Sequence, residues 1–183
     1  MIKAVLIAAL LLSCSNATDS DPNTDIQPIT NGSRWVYDIT EYSPIYRTEV
    51  EETREVKGID SLGYSLIHIS KDNILGIYQY IYKDDGLYIV NNMTDVIDIK
   101  YPVSVGETFS PGITQIKLVK NDTTIEVPSG TFKNCYYFTY HFNGALSQKR
   151  FYKVGIGMVQ RIIYSTNNGN VIQDSKLKSY LIK

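Results

Sequence analysis

Cysteine, histidine and long apolar runs are all scarce in this chain, and each scarcity excludes a class of structure or chemistry. Two cysteines, Cys14 and Cys135, are too few for a disulfide framework. The two histidines, His68 and His141, lie in separate segments without clustered acidic or cysteine ligands, so we predict no metal site and no cofactor. After the first residues of the chain, no apolar run approaches the roughly 20 residues of a membrane-spanning helix.

Charge of either sign is also not in excess. The 18 Lys and Arg residues nearly balance the 19 Asp and Glu residues, and no basic run occurs, so neither nucleic acid nor a polybasic membrane patch is implied. The chain has no Gly-x-Ser-x-Gly nucleophile motif and no glycine-rich phosphate loop. We therefore predict no catalytic residues and a protein that is not an enzyme. The alternative is an enzyme of unfamiliar type that uses the two histidines.

The N-terminal residues are typical of a secretory signal that ends in a lipidation site. One positive charge at Lys3 precedes the apolar run 4–12. The tetrapeptide Leu11-Leu12-Ser13-Cys14 matches the lipobox of lipoprotein signal peptidase, in which a small residue, here Ser13, precedes the nucleophilic cysteine. We expect a signal peptide over residues 1–13 and a diacylglyceryl group on Cys14 that anchors the protein to a membrane. A plain secretory signal with a chance cysteine is the alternative.

The residues after the lipobox predict where the protein is held. Ser15 occupies the position at which an aspartate favours inner-membrane retention in some Gram-negative lipoproteins, so the resemblance favours the outer membrane. The polar composition of residues 14–28 predicts a lipidated, flexible tether. Residues 29–183 are long enough for one domain with a sizeable core.

Strand signals dominate from Trp35 onward. Apolar residues alternate with polar ones at a period of two, which is typical of half-buried strands. The clearest examples are residues 77–82, 113–119 and 135–142. The pairs Asp85-Gly86, Asn143-Gly144 and Asn168-Gly169 predict tight hairpin turns, and Asn121-Asp122 is a weaker fourth candidate. The sequence therefore predicts an all-β fold, a single antiparallel meander curled into a barrel, a half-barrel or a sandwich.

Two local patterns predict opposite environments. Residues 47–57 carry a charge at most positions, which favours an exposed or edge strand with a solvated face. Cys135 opens the apolar run Cys-Tyr-Tyr-Phe and has no cationic neighbour that would activate a thiol. We therefore expect Cys135 to be buried and structural.

Three blocks in the second half of the chain resemble a known group of proteins. Residues 101–109, YPVSVGETF, resemble a YPL-x-x-G-x-x-W segment, and residues 127–135, VPSGTFKNC, resemble VPAGTF-x-x-C. Residues 151–159, FYKVGIGMV, are similar to YYAPGVGLV. In this order the blocks resemble a broad set of uncharacterised bacterial envelope lipoproteins and secreted β-domains. The resemblance implies a β-fold and supplies no catalytic residues.

Tyrosine is the one aromatic residue in excess, with 15 in the chain against five Phe and one Trp. Its ring can be buried while its hydroxyl stays in water. Tyr78, Tyr80, Tyr82 and Tyr88 are predicted to share one face of a hairpin and to form a candidate aromatic binding face. An ordinary half-buried sheet surface is the alternative.

These features favour a non-enzymatic binding or interaction module of the cell envelope, with another envelope protein, a glycan or a lipid as its partner. The alternative is a carrier that holds an apolar or lipid-like ligand in a curved sheet. A flat exposed aromatic patch would support the interaction module. A deep pocket with convergent ionisable side chains would argue against it.

Overall fold

The computed structural model describes residues 25–183. The predicted signal peptide, the lipobox residues Leu11, Leu12, Ser13 and Cys14, and the tether before residue 25 lie outside the described residues. Residues 25–28, which were predicted to belong to the tether, are packed against the domain, and Ile26 is fully buried. The ordered domain therefore includes at least four residues before the predicted boundary at residue 29.

The described residues form twelve antiparallel strands and no helix. The strands are β1 (Arg34–Tyr42), β2 (Arg47–Ile59), β3 (Ser65–Lys71), β4 (Ile74–Lys83), β5 (Gly86–Asn91), β6 (Thr94–Lys100), β7 (Thr108–Phe109), β8 (Thr114–Val127), β9 (Gly130–Phe142), β10 (Ala145–Lys153), β11 (Gly157–Tyr164) and β12 (Val171–Leu181). No helix in residues 25–183 could span a membrane.

Each strand pairs with its neighbour in sequence, except at β6 and β7. The first and last strands, β1 and β12, pair with each other and join the two halves of the meander. The sheet therefore curls into a nearly closed barrel whose edges are β6 and β7. The all-β prediction is confirmed, and of the three predicted architectures the structure has the barrel. β2 lies between β1 and β3, so its prediction as an edge strand is wrong.

The turn predictions had mixed outcomes. Asn143-Gly144 is a two-residue turn, with both residues at positive φ. The β4–β5 turn is Asp84-Asp85 rather than Asp85-Gly86, because Gly86 already pairs with Lys83. Asn168-Gly169 lies in a longer loop between β11 and β12. Asn121-Asp122 forms no turn, since β8 continues through it by shifting its register with β9.

The two ends of the barrel differ. Residues 25–33 cover one end, where Gly155 N donates to Asp25 O at 2.8 Å and Met158 N donates to Gln27 Oε1 at 2.9 Å. The opposite end of the barrel is here called the open end. It carries the turns that connect each odd-numbered strand to the next even-numbered strand, from the β1–β2 turn to the β11–β12 loop. Exposed apolar side chains surround the open end: Tyr42, Ile45, Tyr46, Ile74, Leu75, Met93, Ile113, Phe142, Val171 and Ile172.

Candidate functional site

The predicted tyrosine face divides between the two sides of the sheet. Directly paired residues point to the same side, and Tyr78 pairs with the buried Ile67. Tyr78, Tyr80 and Tyr82 therefore face the barrel interior. Tyr88 pairs with Ile81 on the outer face, where its hydroxyl donates to Asp85 Oδ1 at 2.9 Å. The prediction that Tyr88 shares the face of the other three tyrosines is wrong. Across the two-residue β4–β5 turn, each even-numbered residue of one strand pairs with an odd-numbered residue of the other, so Tyr88 lies on the face opposite to Tyr82.

The interior side chains line a partly open cavity of about 310 Å³. This volume is at the small end of the range for small-molecule sites. The apolar and aromatic part of the lining is Trp35, Ile67, Ile69, Tyr78, Tyr80, Leu87, Ile89, Ile99, Tyr152 and Met158, and the polar part is Gln27, Glu52, Arg54, Asp98, Arg150 and Arg161. The cavity therefore combines an apolar wall with a cluster of charges that face one another across the barrel.

Arg54 forms a buried ion pair with Glu52 in this cluster. Arg54 Nε lies 2.7 Å from Glu52 Oε1, and Glu52 is only 7% exposed. The Arg54 guanidinium lies 5.2 Å from the ring centre of Tyr37. Burial lowers the pKa of Arg54, but Glu52 and the neighbouring tyrosines raise it by more, so that it lies above its ordinary value. Arg54 thus stays charged and is neutralised by its partner.

Arg150 forms a second ion pair, which crosses the barrel. Its Nη1 lies 2.9 Å from Asp98 Oδ1, joining β10 to β6. Arg150 Nε donates to Gln148 Oε1 at 2.9 Å, and the guanidinium lies 4.2 Å from the ring centre of Tyr140. Burial lowers the pKa of Arg150, while Tyr140 and Asp98 raise it, and the net result is a pKa well above the ordinary value.

Arg161 is the third arginine and has no acidic partner. It makes no ion pair with any described residue, and its buried Nε finds no hydrogen-bond acceptor among residues 25–183. Burial, followed by the charges of Arg54 and Arg150, lowers the pKa of Arg161 to about 10. Three guanidinium groups against two carboxylates leave one positive charge in excess inside the barrel.

A smaller cavity of about 240 Å³ leads from the interior toward the open end. It shares Glu52, Ile69 and Tyr78 with the main cavity. Gly76 and Ile74 line its outer part, next to the β3–β4 turn. Gly76 has no side chain to fill this part of the cavity.

The structure does not bring the two histidines together. His68 pairs with Ile77 on the outer face of β3, and His141 pairs with Leu146 on the outer face of β9. Within residues 25–183, no three His, Cys, Asp or Glu side chains are grouped closely enough to hold a metal ion. Cys135 is fully buried, as expected, and burial raises its pKa to about 11.

Sequence reasoning missed every charged residue of the cavity. Glu52 and Arg54 fall in the segment that was predicted to carry a solvated face. A usable signal was present, because both residues alternate in phase with Val50 and Val56, which are apolar. The same alternation places Arg150 on the inner face, because it lies two residues before the buried Tyr152 on one strand.

Comparison with known proteins identifies related folds. No protein-family model matches the chain, and the search of curated proteins finds no relative, so the resemblance of the three sequence blocks stays a prediction. A proposed exported protein with a YmcC-like fold from Bacteroides fragilis is similar in structure, with a TM-score of 0.54, 11% identity, and coverage of 85% of this chain and 98% of that chain. A proposed lipoprotein of Parabacteroides distasonis has a TM-score of 0.55 and 13% identity, and the match covers 87% of this chain and 99% of that one. These similarities show a shared fold.

Proposed function

We propose that this protein is a lipid-anchored protein of the bacterial cell envelope that binds a small amphipathic molecule inside its barrel and catalyses no reaction on it. The lipobox ending at Cys14 and the likeness to an exported protein and a lipoprotein support the envelope location. Ser15 supports the outer rather than the inner membrane. The anchor places the ligand-binding domain at a membrane surface, where amphipathic molecules are concentrated.

The cavity of about 310 Å³ carries the binding part of the proposal. Protein interiors are ordinarily close-packed, so a void of this size inside a barrel needs an explanation. Ten of its sixteen lining residues are aromatic or aliphatic, and five charged side chains converge on it, so the cavity offers both an apolar wall and a charged one to a ligand. Tyr80 and Tyr82 point into the barrel and are partly buried there, so they do not form a flat exposed patch, which favours the carrier over the interaction module.

The charged groups of the cavity favour binding over catalysis. Arginines hold their protons far above neutral pH, so they do not serve as acids or bases there. The two carboxylates, Glu52 and Asp98, are each held by a guanidinium group within 3 Å. The arginines of the cavity therefore suit the binding of an anion better than proton transfer near pH 7.

A cavity-filling substitution tests the proposal. The chain from residue 14 with Cys14→Ser lacks the lipid, and its binding of the fluorescent amphiphile 1-anilinonaphthalene-8-sulfonate is measured without detergent. Ile69→Trp places a large ring in the cavity, whereas His68→Trp places the same ring on the outer face of the same strand. We expect Ile69→Trp to abolish binding and His68→Trp to retain it. Equal binding by both folded variants would contradict the proposal.

A second candidate function is an interaction at the open end, with another envelope protein, a glycan or a lipid. The observation that favours it is the apolar side chains at the hairpin turns, where Ile74 is 73% and Leu75 is 77% exposed. Leu75→Glu would then prevent recovery of a cross-linked partner from intact envelopes. Unchanged cross-linking in Leu75→Glu would contradict this candidate.

A further inference from the structure

We propose that the ligand of the cavity is a singly charged organic acid whose carboxylate is held by Arg161 and whose apolar body lies against the aromatic and aliphatic wall. This inference rests on the proposed function and assigns a chemical class to the ligand. It follows from the charges inside the barrel and from the one guanidinium group that has no counterion.

The position of Arg161 makes its lack of a partner costly. Arg161 on β11 pairs directly with Arg150 on β10, so that two like charges stand side by side inside the barrel. Like charges that face each other across two strands destabilise a sheet. On its other side Arg161 pairs with Ser175, which carries no charge. The neighbouring strands therefore do not neutralise it.

The two carboxylates of the cavity do not supply the missing charge. Glu52 is bound to Arg54 at 2.7 Å, and Asp98 is bound to Arg150 at 2.9 Å. Arg161 has no oxygen of either within ion-pair distance, and its Nε is buried without an acceptor in the described part of the chain. A buried polar group of this kind is ordinarily satisfied, and a bound anion would satisfy it.

The excess charge determines the charge of the ligand. One negative charge neutralises the three arginines and two carboxylates, whereas a doubly charged phosphate ester would leave one buried negative charge unpaired. The planar carboxylate matches the guanidinium group in two parallel hydrogen bonds. The aliphatic part of the lining, which includes Ile67, Leu87 and Ile99, offers no donor or acceptor, so the part of the ligand that lies against it is apolar.

Calorimetric titration of the Cys14→Ser chain, begun at residue 14, with four octyl compounds tests this inference. The probes are octanoate, 1-octanol, octyltrimethylammonium and octyl phosphate, which share the body and differ in charge. We expect octanoate to bind at least tenfold more tightly than the other three. Tighter binding of 1-octanol or octyl phosphate than of octanoate would overturn the assignment of a single negative charge.

Substitution of the arginine separates the head group from the body. Arg161→Met keeps a long apolar stem without the charge, and we expect it to weaken octanoate binding at least tenfold and to leave 1-octanol binding unchanged. Arg47→Met, which removes an exposed arginine at the open end, is the matched control and should bind as the unsubstituted chain does. Unchanged octanoate binding by Arg161→Met would overturn the role of Arg161 while leaving the proposed function intact. Failure of all four probes to bind the unsubstituted chain would overturn the proposed function itself.

Discussion

Arg161 is the residue at which folding stability and the proposed binding oppose each other. A base whose pKa falls on folding destabilises the folded state below that pKa, and the cost disappears as the pH rises from about 10 to the ordinary pKa of arginine. At pH 7 the full cost is therefore present. We expect Arg161→Met to raise the free energy of unfolding by ~1–3 kcal/mol in ligand-free protein, measured by urea denaturation.

The control for this prediction removes a paired arginine. Arg54→Met leaves the buried Glu52 without its counterion and should lower the free energy of unfolding by about 3 kcal/mol. Both substitutions replace an arginine by methionine, and the changes that we expect in the free energy of unfolding have opposite signs. A loss of stability in Arg161→Met similar to that in Arg54→Met would mean that Arg161 is neutralised within the protein.

Cys135 provides a second test at the level of a single residue. Its thiol is fully buried and burial raises its pKa to about 11, so little thiolate is present at pH 8. In the Cys14→Ser chain it is the one remaining cysteine. We expect 5,5′-dithiobis(2-nitrobenzoate) to label it at least a hundredfold more slowly in native protein than in urea. Rapid labelling of the native protein would contradict its burial.

These two residues show how far a single position can be judged from sequence. Cys135 lies in an apolar run, and its burial follows from its immediate neighbours. The environment of Arg161 does not, because it depends on the partners that face it from other strands across the barrel. A charged residue that shares a strand face with buried apolar neighbours is predicted to point into the barrel. Whether it finds a partner of opposite charge depends on residues distant in sequence, as in the pair of Arg150 with Asp98.

Among the structural elements, the segment 25–33 depends on a close approach to Gly157. Gly157 has a φ of +103°, and a Cβ there would lie 2.5 Å from Gln27 Oε1. Gln27 is held by Tyr82, whose hydroxyl donates to Gln27 O at 2.9 Å. Gly157→Ala should therefore push the Gln27 side-chain amide aside and break its hydrogen bond from Met158 N, and together with the backbone strain it should lower the free energy of unfolding by ~1–3 kcal/mol, measured by urea denaturation.

The matched control is Gly130→Ala. Gly130 also has a positive φ, of +131°, but a Cβ there would meet no atom within 4 Å. Gly130→Ala should therefore lower the free energy of unfolding by about 1 kcal/mol, through backbone strain alone. Equal losses in both variants would show that Gly157 is required for its backbone conformation alone and that the contact with Gln27 contributes nothing.

Strands were easier to predict than their pairing. Asn143-Gly144 specifies its own turn because both residues tolerate positive φ. Asn121-Asp122 carries a similar signal, yet β8 passes through it, since pairing with β9 continues on both sides. Tyr88 was assigned to the wrong face because the numerical pattern of one strand was extended across a turn. Local chemistry therefore predicts the elements, and the register needs the partner strand.

For the whole molecule, closure of the barrel depends on interior contacts across the gap between β6 and β7. The Asp98–Arg150 ion pair joins β6 to β10, and Tyr140 on β9 donates to Asp98 O at 3.3 Å. Asp98→Asn would leave a second buried arginine uncompensated. We expect it to lower the free energy of unfolding by about 3 kcal/mol and to increase hydrogen exchange in β6.

An exposed pair gives the comparison for Asp98→Asn. Glu51 and Lys178 lie 2.9 Å apart on the outer surface, with about half of each side chain in solvent. Glu51→Gln should change the stability by no more than ~0.5 kcal/mol. A similarly small effect of Asp98→Asn would mean that the interior pair does not hold the barrel together. The sequence could not choose the barrel over a sandwich, because closure requires β1 to pair with β12 at the far end of the chain.

The route by which a ligand enters the cavity is also a property of the whole barrel, and a substitution of Gly76 tests it. Residues 25–33 cover one end, so we expect a ligand to enter from the open end, where the smaller cavity lies beside the β3–β4 turn. Gly76 lines this passage and does not need a positive φ, and a Cβ there would make an ordinary contact of 3.5 Å with Tyr78. Gly76→Phe should therefore fold normally and narrow the passage.

We expect Gly76→Phe to slow both association and dissociation of octanoate at least tenfold, while the equilibrium affinity changes less than threefold. Stopped-flow fluorescence with competing 1-anilinonaphthalene-8-sulfonate measures both rates. Ile77→Phe adds an aromatic ring at the next position on the outer face, where Ile77 is 61% exposed, and should leave both rates unchanged. Equal rates in the two variants would place the entrance elsewhere, and the gap between β6 and β7 is the other break in the barrel wall. Slowed rates with unchanged affinity require a passage, because a residue that bound the ligand would alter the affinity as well.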